Sequence, residues 1–285
     1  MSSVTLYNSG KRDLMNGVLD LDTHTIHVSL HTASYTPDID AHTKRSDLTN
    51  EVVGTGYTAL GQALANKAVT QDDTGNLSKF DADDVSWTTA TITARYAILW
   101  RNRGGVSSAD ELIGYWDLGS NVTCTGGTFL LQWDTDGIIN MTGTSFYNSA
   151  KQSLNDGTID LDTDDIYAAL CTNAYTMDQD LHDFFDDITN EVSGTGYTAG
   201  GQALTGKSVA ADNTDNEGYF TSDAITWANA SITARYLIFY KKRGGASSLD
   251  DLISCIDLGA DKTSSGGNFV ITPNAEGWFN ANQTA

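Results

Sequence analysis

Sliding the chain against itself by 140 residues aligns its two halves without a gap. Tyr7-Asn8-Ser9 meets Tyr147-Asn148-Ser149, "DLDT" at 20 meets "DLDT" at 160, and "ITARY" at 92 meets "ITARY" at 232. "RGGVSS" at 103 meets "RGGASS" at 243, and roughly half of all aligned positions are identical. A period this long exceeds a solenoid repeat and matches the size of an ordinary domain. The spacing predicts two tandem domains, 1–143 and 144–285.

Within each half the local pattern reads as short strands. In "ATITARYAILW", Ile92, Ala94, Tyr96, Ile98 and Trp100 share one face by alternation. The opposite face runs Thr93, Arg95, Ala97, Leu99 and turns apolar at one end, as a central strand does. "IHVSLHT", "ELIGYWDLG", "GTFLLQW" and "GIINM", with their second-half counterparts, read as further strands between turns rich in Asn, Asp, Ser and Gly. A short helix is expected at "SGKRDLMNG" and at "SAKQSLNDG", capped by Ser9 or Ser149 and stopped by Gly17 or Gly157. Another is expected near "LHDFFDDI". The class is mainly β: two tandem β-sandwich domains with short helices.

The phrases "TNEVVGTGYTALGQAL" and "TNEVSGTGYTAGGQAL" invite comparison with a phosphate-binding loop. A dinucleotide loop leaves a buried parallel strand and opens a helix. Here a polar, acidic stretch precedes Gly194 and Gly196, no helical pattern follows, and Leu60 stands where the second half has Gly200. Gly54, Gly56, Gly194 and Gly196 are therefore read as a bend entering an edge strand. No cofactor is expected.

Other constellations reduce the same way. Asp160, Asp162, Asp164 and Asp165 lack the glycine and distal glutamate of a calcium loop. His24, His27 and His31 meet Asp164, Tyr167 and Cys171 in the second half, which argues against zinc. No nucleophile–base pair has defensible spacing, so the chain is read as not an enzyme. Arg95 and Arg235 are expected to pair with a carboxylate across the sheet, Glu51 and Glu191 being the candidates, with a subunit contact as the alternative. Trp87 and Trp227 are expected as core anchors.

Charge bounds the partners. With 37 acidic against 16 basic residues the chain carries −21, a surface that repels nucleic acid and anionic membranes. The start has no apolar run of signal-peptide length, and three scattered cysteines suggest reduced thiols and synthesis in a cytoplasm. The halves differ at one place above all: Lys44 and Arg45 stand where the second half has Phe184 and Phe185. Those four are the candidate interface, and the swap predicts different neighbours for the two domains.

The phrases "DLDT", "SYTPDIDAH", "TNEV" with "GTGY", "ATITARYA" and "LIGY" with "DLG" resemble a widespread group of small structural proteins of tailed bacteriophages. One such protein corresponds to one half, so this chain resembles two fused members along nearly its whole length. The resemblance implies a virion component, made in the host cytoplasm, with virion proteins as partners and no catalytic residues to carry over. A capsid decoration or cement protein bridging capsid subunits is expected first, and three two-domain chains could imitate a sixfold ring. The alternative is a tail component in contact with tail proteins, a tube or baseplate decoration or a receptor-binding module using aromatics and aspartates around Tyr35 and Tyr175. A homo-oligomer is expected in either case.

Overall fold

The computed structural model describes residues 4–281, so the outer ends of the two expected domains, 1–3 and 282–285, lie outside the described residues. The first half runs β1 (Thr5–Leu6), α1 (Asn8–Met15), β2 (Ile26–His31), β3 (Gln62–Ala63), β4 (Ala68–Asp72), β5 (Leu77–Asp81), β6 (Val85–Arg101), β7 (Leu112–Leu131) and β8 (Ile139–Met141). The second half follows the same order: α2 (Asn148–Asn155), β9 (Ile166–Cys171), β10 (Gln202–Ala203), β11 (Ser208–Asp212), β12 (Glu217–Thr221), β13 (Ile225–Lys241), β14 (Asp251–Ile271) and β15 (Phe279–Ala281). The chain is mainly β and its sheets are antiparallel.

In the first half a sheet ordered β1-β7-β6-β2-β3 faces a smaller one, β4-β5-β8, across a shared core that includes Leu30, Leu99, Phe80 and Ile139. The second half repeats both sheets, lacking only a named partner for the outer edge of β14. Central placement of β6 explains its apolar end: Ala97 and Leu99 enter the inter-sheet core, while Ile98 and Trp100 pack on the other face with Tyr7, Tyr35 and Leu112. The single face expected for Ile92, Ala94, Ile98 and Trp100 is split, because a register shift between Ala94 and Tyr96 leaves Ile92 and Ala94 in the inter-sheet core with Ala97 and Leu99. "ELIGYWDLG" and "GTFLLQW" belong to one strand rather than two. β7 stays paired with β6 throughout because residues 118–121 bulge out between the Tyr96–Asp117 and Ala94–Val122 pairs.

Both expected helices form, but each cap position lies two residues before the expected Ser9 or Ser149. Asn8 and Asn148 open them after Tyr7 and Tyr147, and no side chain caps either start. Their side chains bond elsewhere, Asn8 to Asp40 in its own half and Asn148 to Asp180 in its own, and both to asparagine or aspartate across the halves. Gly17 and Gly157 follow the helices at φ 65° and 69°, as expected of stops. "LHDFFDDI" holds only a 3-10 turn, Phe185–Asp187.

The two halves dock through these helices, α1 on β11 and β12, α2 on β4 and β5. The contacts are reciprocal. Leu21 donates its N–H to the Asn155 carbonyl at 3.0 Å, and Leu161 donates to the Met15 carbonyl at 3.0 Å. Asn8 donates to Asn216 at 3.2 Å, and Asn148 donates to Asn76 at 3.4 Å. Lys11 bonds the Asn216 carbonyl and Lys151 the Asn76 carbonyl. In each pair the partners are the same positions shifted by 140. A contact in which i meets j and j meets i is isologous, the hallmark of a twofold pair, and it closes at two copies. A sixfold-like ring needs head-to-tail contacts, so this interface is not the one that would build such a ring.

Lys151 sits at that interface fully buried, bonded to the Asn76 carbonyl and, at 2.8 Å, to Asn148 Oδ1. Burial pushes its ammonium down to about 8, with Asp180 opposing the shift. A lysine lowered in the fold but not in the unfolded chain costs stability while charged, and the cost fades as pH rises. Cys171 and Cys255, pushed up to about 12 by burial, act in the opposite sense above pH 9. The comparison that isolates Lys151 is therefore wild type against Lys151→Met. The stability of wild type relative to that variant should rise by about 2 kcal/mol between pH 8 and 10, read by urea denaturation.

Candidate functional site

The halves diverge at one corner, where the loop after β2 or β9 meets the loop before β7 or β14. In the first half Asp47 accepts the N–H groups of Thr43 and Lys44, turning the chain so that Lys44 and Arg45 face the start of β7. Lys44 pairs with Glu111 at 3.0 Å and Arg45 with Asp110 at 2.8 Å. The Arg45 guanidinium also lies 4.8 Å from the centre of the Trp100 ring. Arg103 reaches Glu111 at 2.9 Å. Burial works to raise the Glu111 carboxyl, but the bonds from Arg103 and Lys44 hold it below the usual carboxylate range. This corner neutralises itself.

In the second half the same backbone frame persists. Asp187 accepts from Asp183 and Phe184, and Phe185 donates its N–H to the Asp250 carbonyl at 2.9 Å. The side chains differ. Phe185 is half-buried and stacks on Tyr240 at 4.2 Å between centroids, so it takes up the position over the ring that Arg45 has over Trp100. Phe184 is 37% exposed. Of the two candidate-interface phenylalanines, Phe184 is the exposed one; Tyr240 gives Phe185 a partner inside its own half. Leu181, 73% exposed, and Leu249, 54% exposed, lie on the same two loops. Their first-half counterparts are Ala41 and Ala109. Arg243 is the cation on this corner's acids, reaching Asp251 at 2.7 Å and donating its backbone N–H to Asp250.

The remaining sequence candidates are structural. Arg95 and Arg235 pair with carboxylates across the sheet as expected, but the partners are Asp117 at 2.7 Å and Asp257 at 2.6 Å. Antiparallel register decides this, because Tyr96 is opposite Asp117 and Tyr236 opposite Asp257. Glu51 and Glu191 are occupied elsewhere, accepting the hydroxyls of Tyr57 and Tyr197 and the backbone N–H groups of Leu60 and Gly200. Trp87 and Trp227 are 3% and 4% exposed, each edge-on to a phenylalanine, Phe129 and Phe269. Gly54 and Gly56, like Gly194 and Gly196, lay the bend against the central strand, where a Cβ on Gly56 would come 2.7 Å from Ala90 Cα. The bend then delivers Gln62 and Ala63 to the edge of β2.

His31 is buried between Ser29 and the Thr49 carbonyl, and His27 lies between Leu60 and Asn102. Asp20, Asp160, Asp38 and Asp178 accept backbone N–H groups of their own loops. Tyr35 and Tyr175 are each 1% exposed, which corrects the expectation of receptor-contacting aromatics at these two positions. Their hydroxyls instead bridge Tyr7 to His42, at 2.8 and 2.9 Å, and Tyr147 to His182, at 2.7 and 3.0 Å. That buried chain was not legible in the sequence, where a loop tyrosine beside Asp and Pro reads as exposed. Asp212, Asp215 and Glu276 form the one cation-sized carboxylate group among the described residues; at the matching first-half place Lys79 pairs with Asp72 at 2.9 Å.

No helix among the described residues is long and apolar enough to cross a membrane. Together, fold and corner define a mainly β protein whose two halves carry different chemistry at matching corners. No protein-family model, no curated protein and no solved structure matches the chain.

Proposed function

We propose that this chain is a non-enzymatic structural protein of a tailed-phage virion, a decoration or cement protein that docks on the head and bridges neighbouring capsid subunits. The sequence phrases shared with that group motivate the class. The observation that carries the role is the inequality of the two corners. Two units of one fold are locked into a reciprocal pair, yet one presents an ion-paired surface at Lys44 and Arg45 and the other an apolar one at Leu181, Phe184 and Leu249. A body with two unlike faces at equivalent places suits a bridge between two unlike neighbours. Its charge of −21 keeps the outside of the bridge from adhering to the genome.

Mass spectrometry of purified particles, with heads and tails separated, tests the assignment. Recovery with heads is expected. Recovery with tails alone would replace the cement role with that of a tail decoration, and absence from both would end the virion reading. Heads lacking the chain should also lose integrity at a lower temperature, and regain it when purified protein is added back.

A further inference from the structure

We infer that the corner formed by Leu181, Phe184 and Leu249 is a docking surface for a protein segment that presents an arginine or lysine beside aliphatic side chains. This rests on the docking role proposed above and names the surface and the partner's chemistry.

Three observations support it. First, the fold brings the segments that carry these apolar groups to one corner. Leu181 lies three residues before Phe184, whose backbone bridges to Asp251, and Leu249 lies two residues before Asp251. Exposed apolar groups gathered at one place mark contact sites, whereas single ones do not. Second, the fold does not require them. The first half builds the same frame, with a matching bridge between Lys44 and Glu111, using Ala41, Lys44 and Ala109. Third, the acids at this corner meet fewer cations than their first-half counterparts. Glu111 and Asp110 are met by Lys44, Arg45 and Arg103, whereas Asp251 is met by Arg243 and Asp250 by a backbone N–H. Asp186 adds a further exposed carboxylate beside Phe185. An incoming cation would supply at Asp251 what Lys44 supplies at Glu111 in the first half, while aliphatic groups beside it cover Leu181 and Leu249. Apolar anchors ringed by charge are also the usual anatomy of a specific interface.

The first half supplies substitutions that this frame tolerates. Leu181→Ala, Phe184→Lys and Leu249→Ala together convert the corner to its counterpart, and Phe185→Arg separately gives Asp250 a cation. Heads lacking the chain are incubated with wild type or with either variant, and the bound fraction is measured by sedimentation. Circular dichroism and thermal melting serve as checks on folding. Wild type should bind, the triple variant at least tenfold more weakly, and Phe185→Arg measurably more weakly. Wild-type binding should also weaken from roughly 50 to 500 mM salt, as screening of a charge-complementary contact requires. Folded variants that bind as well as wild type would overturn the surface while leaving the docking role intact. Wild type that fails to bind would overturn both. Self-association of the free chain that the triple variant abolishes would assign the surface to a second copy and overturn the basic partner.

Discussion

Gly201→Ala should destabilise the protein by about 4 kcal/mol or more, enough to leave little folded chain at 37 °C. Gly201 adopts φ 67°, and a Cβ there would lie 1.9 Å from the Ala168 carbonyl oxygen and 2.7 Å from Ala169 Cα. Both neighbours are backbone of β9, the strand that pairs with the central strand β13, so neither can move without breaking that ladder. Gly61→Ala should behave alike, since its Cβ would meet the Val28 carbonyl at 1.8 Å. One position earlier the sign reverses. Leu60 is a non-glycine residue at φ 78°, where the second half has Gly200 at φ 86°. Leu60→Gly relieves that conformation and should stabilise by about 1 kcal/mol. Opposite signs at adjacent positions are the signature of a glycine used for backbone shape. Urea denaturation of the three variants reads the result directly.

Asn148→Ala should cost about 3 kcal/mol, and more than Asn8→Ala. Asn148 is fully buried and donates to Asp180 at 2.9 Å within its own half, and to Asp73 at 3.2 Å and Asn76 at 3.4 Å in the other. Its Oδ1 accepts from the Lys151 ammonium. Truncation therefore removes a strut between the halves and leaves a buried cation with one fewer acceptor, which is the expensive kind of loss. Asn8 donates to Asp40, Asn213 and Asn216, but its Oδ1 has no partner and Lys11 is only half-buried, so about 1 kcal/mol is expected there. Equal costs would mean that the Lys151 bond adds nothing to the strut.

Much of the strand content was legible because stretches of period-two alternation survive in β6 and β13, although bulges shift its phase along each strand. Burial along β6 alternates from Val85 to Trp87 and from Ala90 to Ala94, then becomes continuous from Ala97 to Trp100, where a second cluster covers the outer face. The continuity of β7 was not legible, because Gly119, Ser120 and Asn121 look like a turn and are a bulge. Arg95 was assigned a cross-sheet carboxylate correctly but the wrong one, since alternation gives the face of a side chain and not its register. The corner at Phe184 was visible as a charge-to-aromatic swap. Its extent through Leu181 and Leu249 could have been found by the same 140-residue comparison, at Ala41 and Ala109. The destination of Phe185 could not, because it depends on Tyr240 lying beneath it in space.

Reciprocity of the two halves is the claim on which the rest depends, and severing the chain tests it. Residues 1–143 and 144–285, coexpressed as separate polypeptides with a tag on one, cut the connection between β8 and α2 and leave every named element whole. The reciprocal helix-on-hairpin contacts predict that the halves copurify one to one and unfold in a single transition. Halves that fold but elute apart at micromolar concentration would contradict a docked pair.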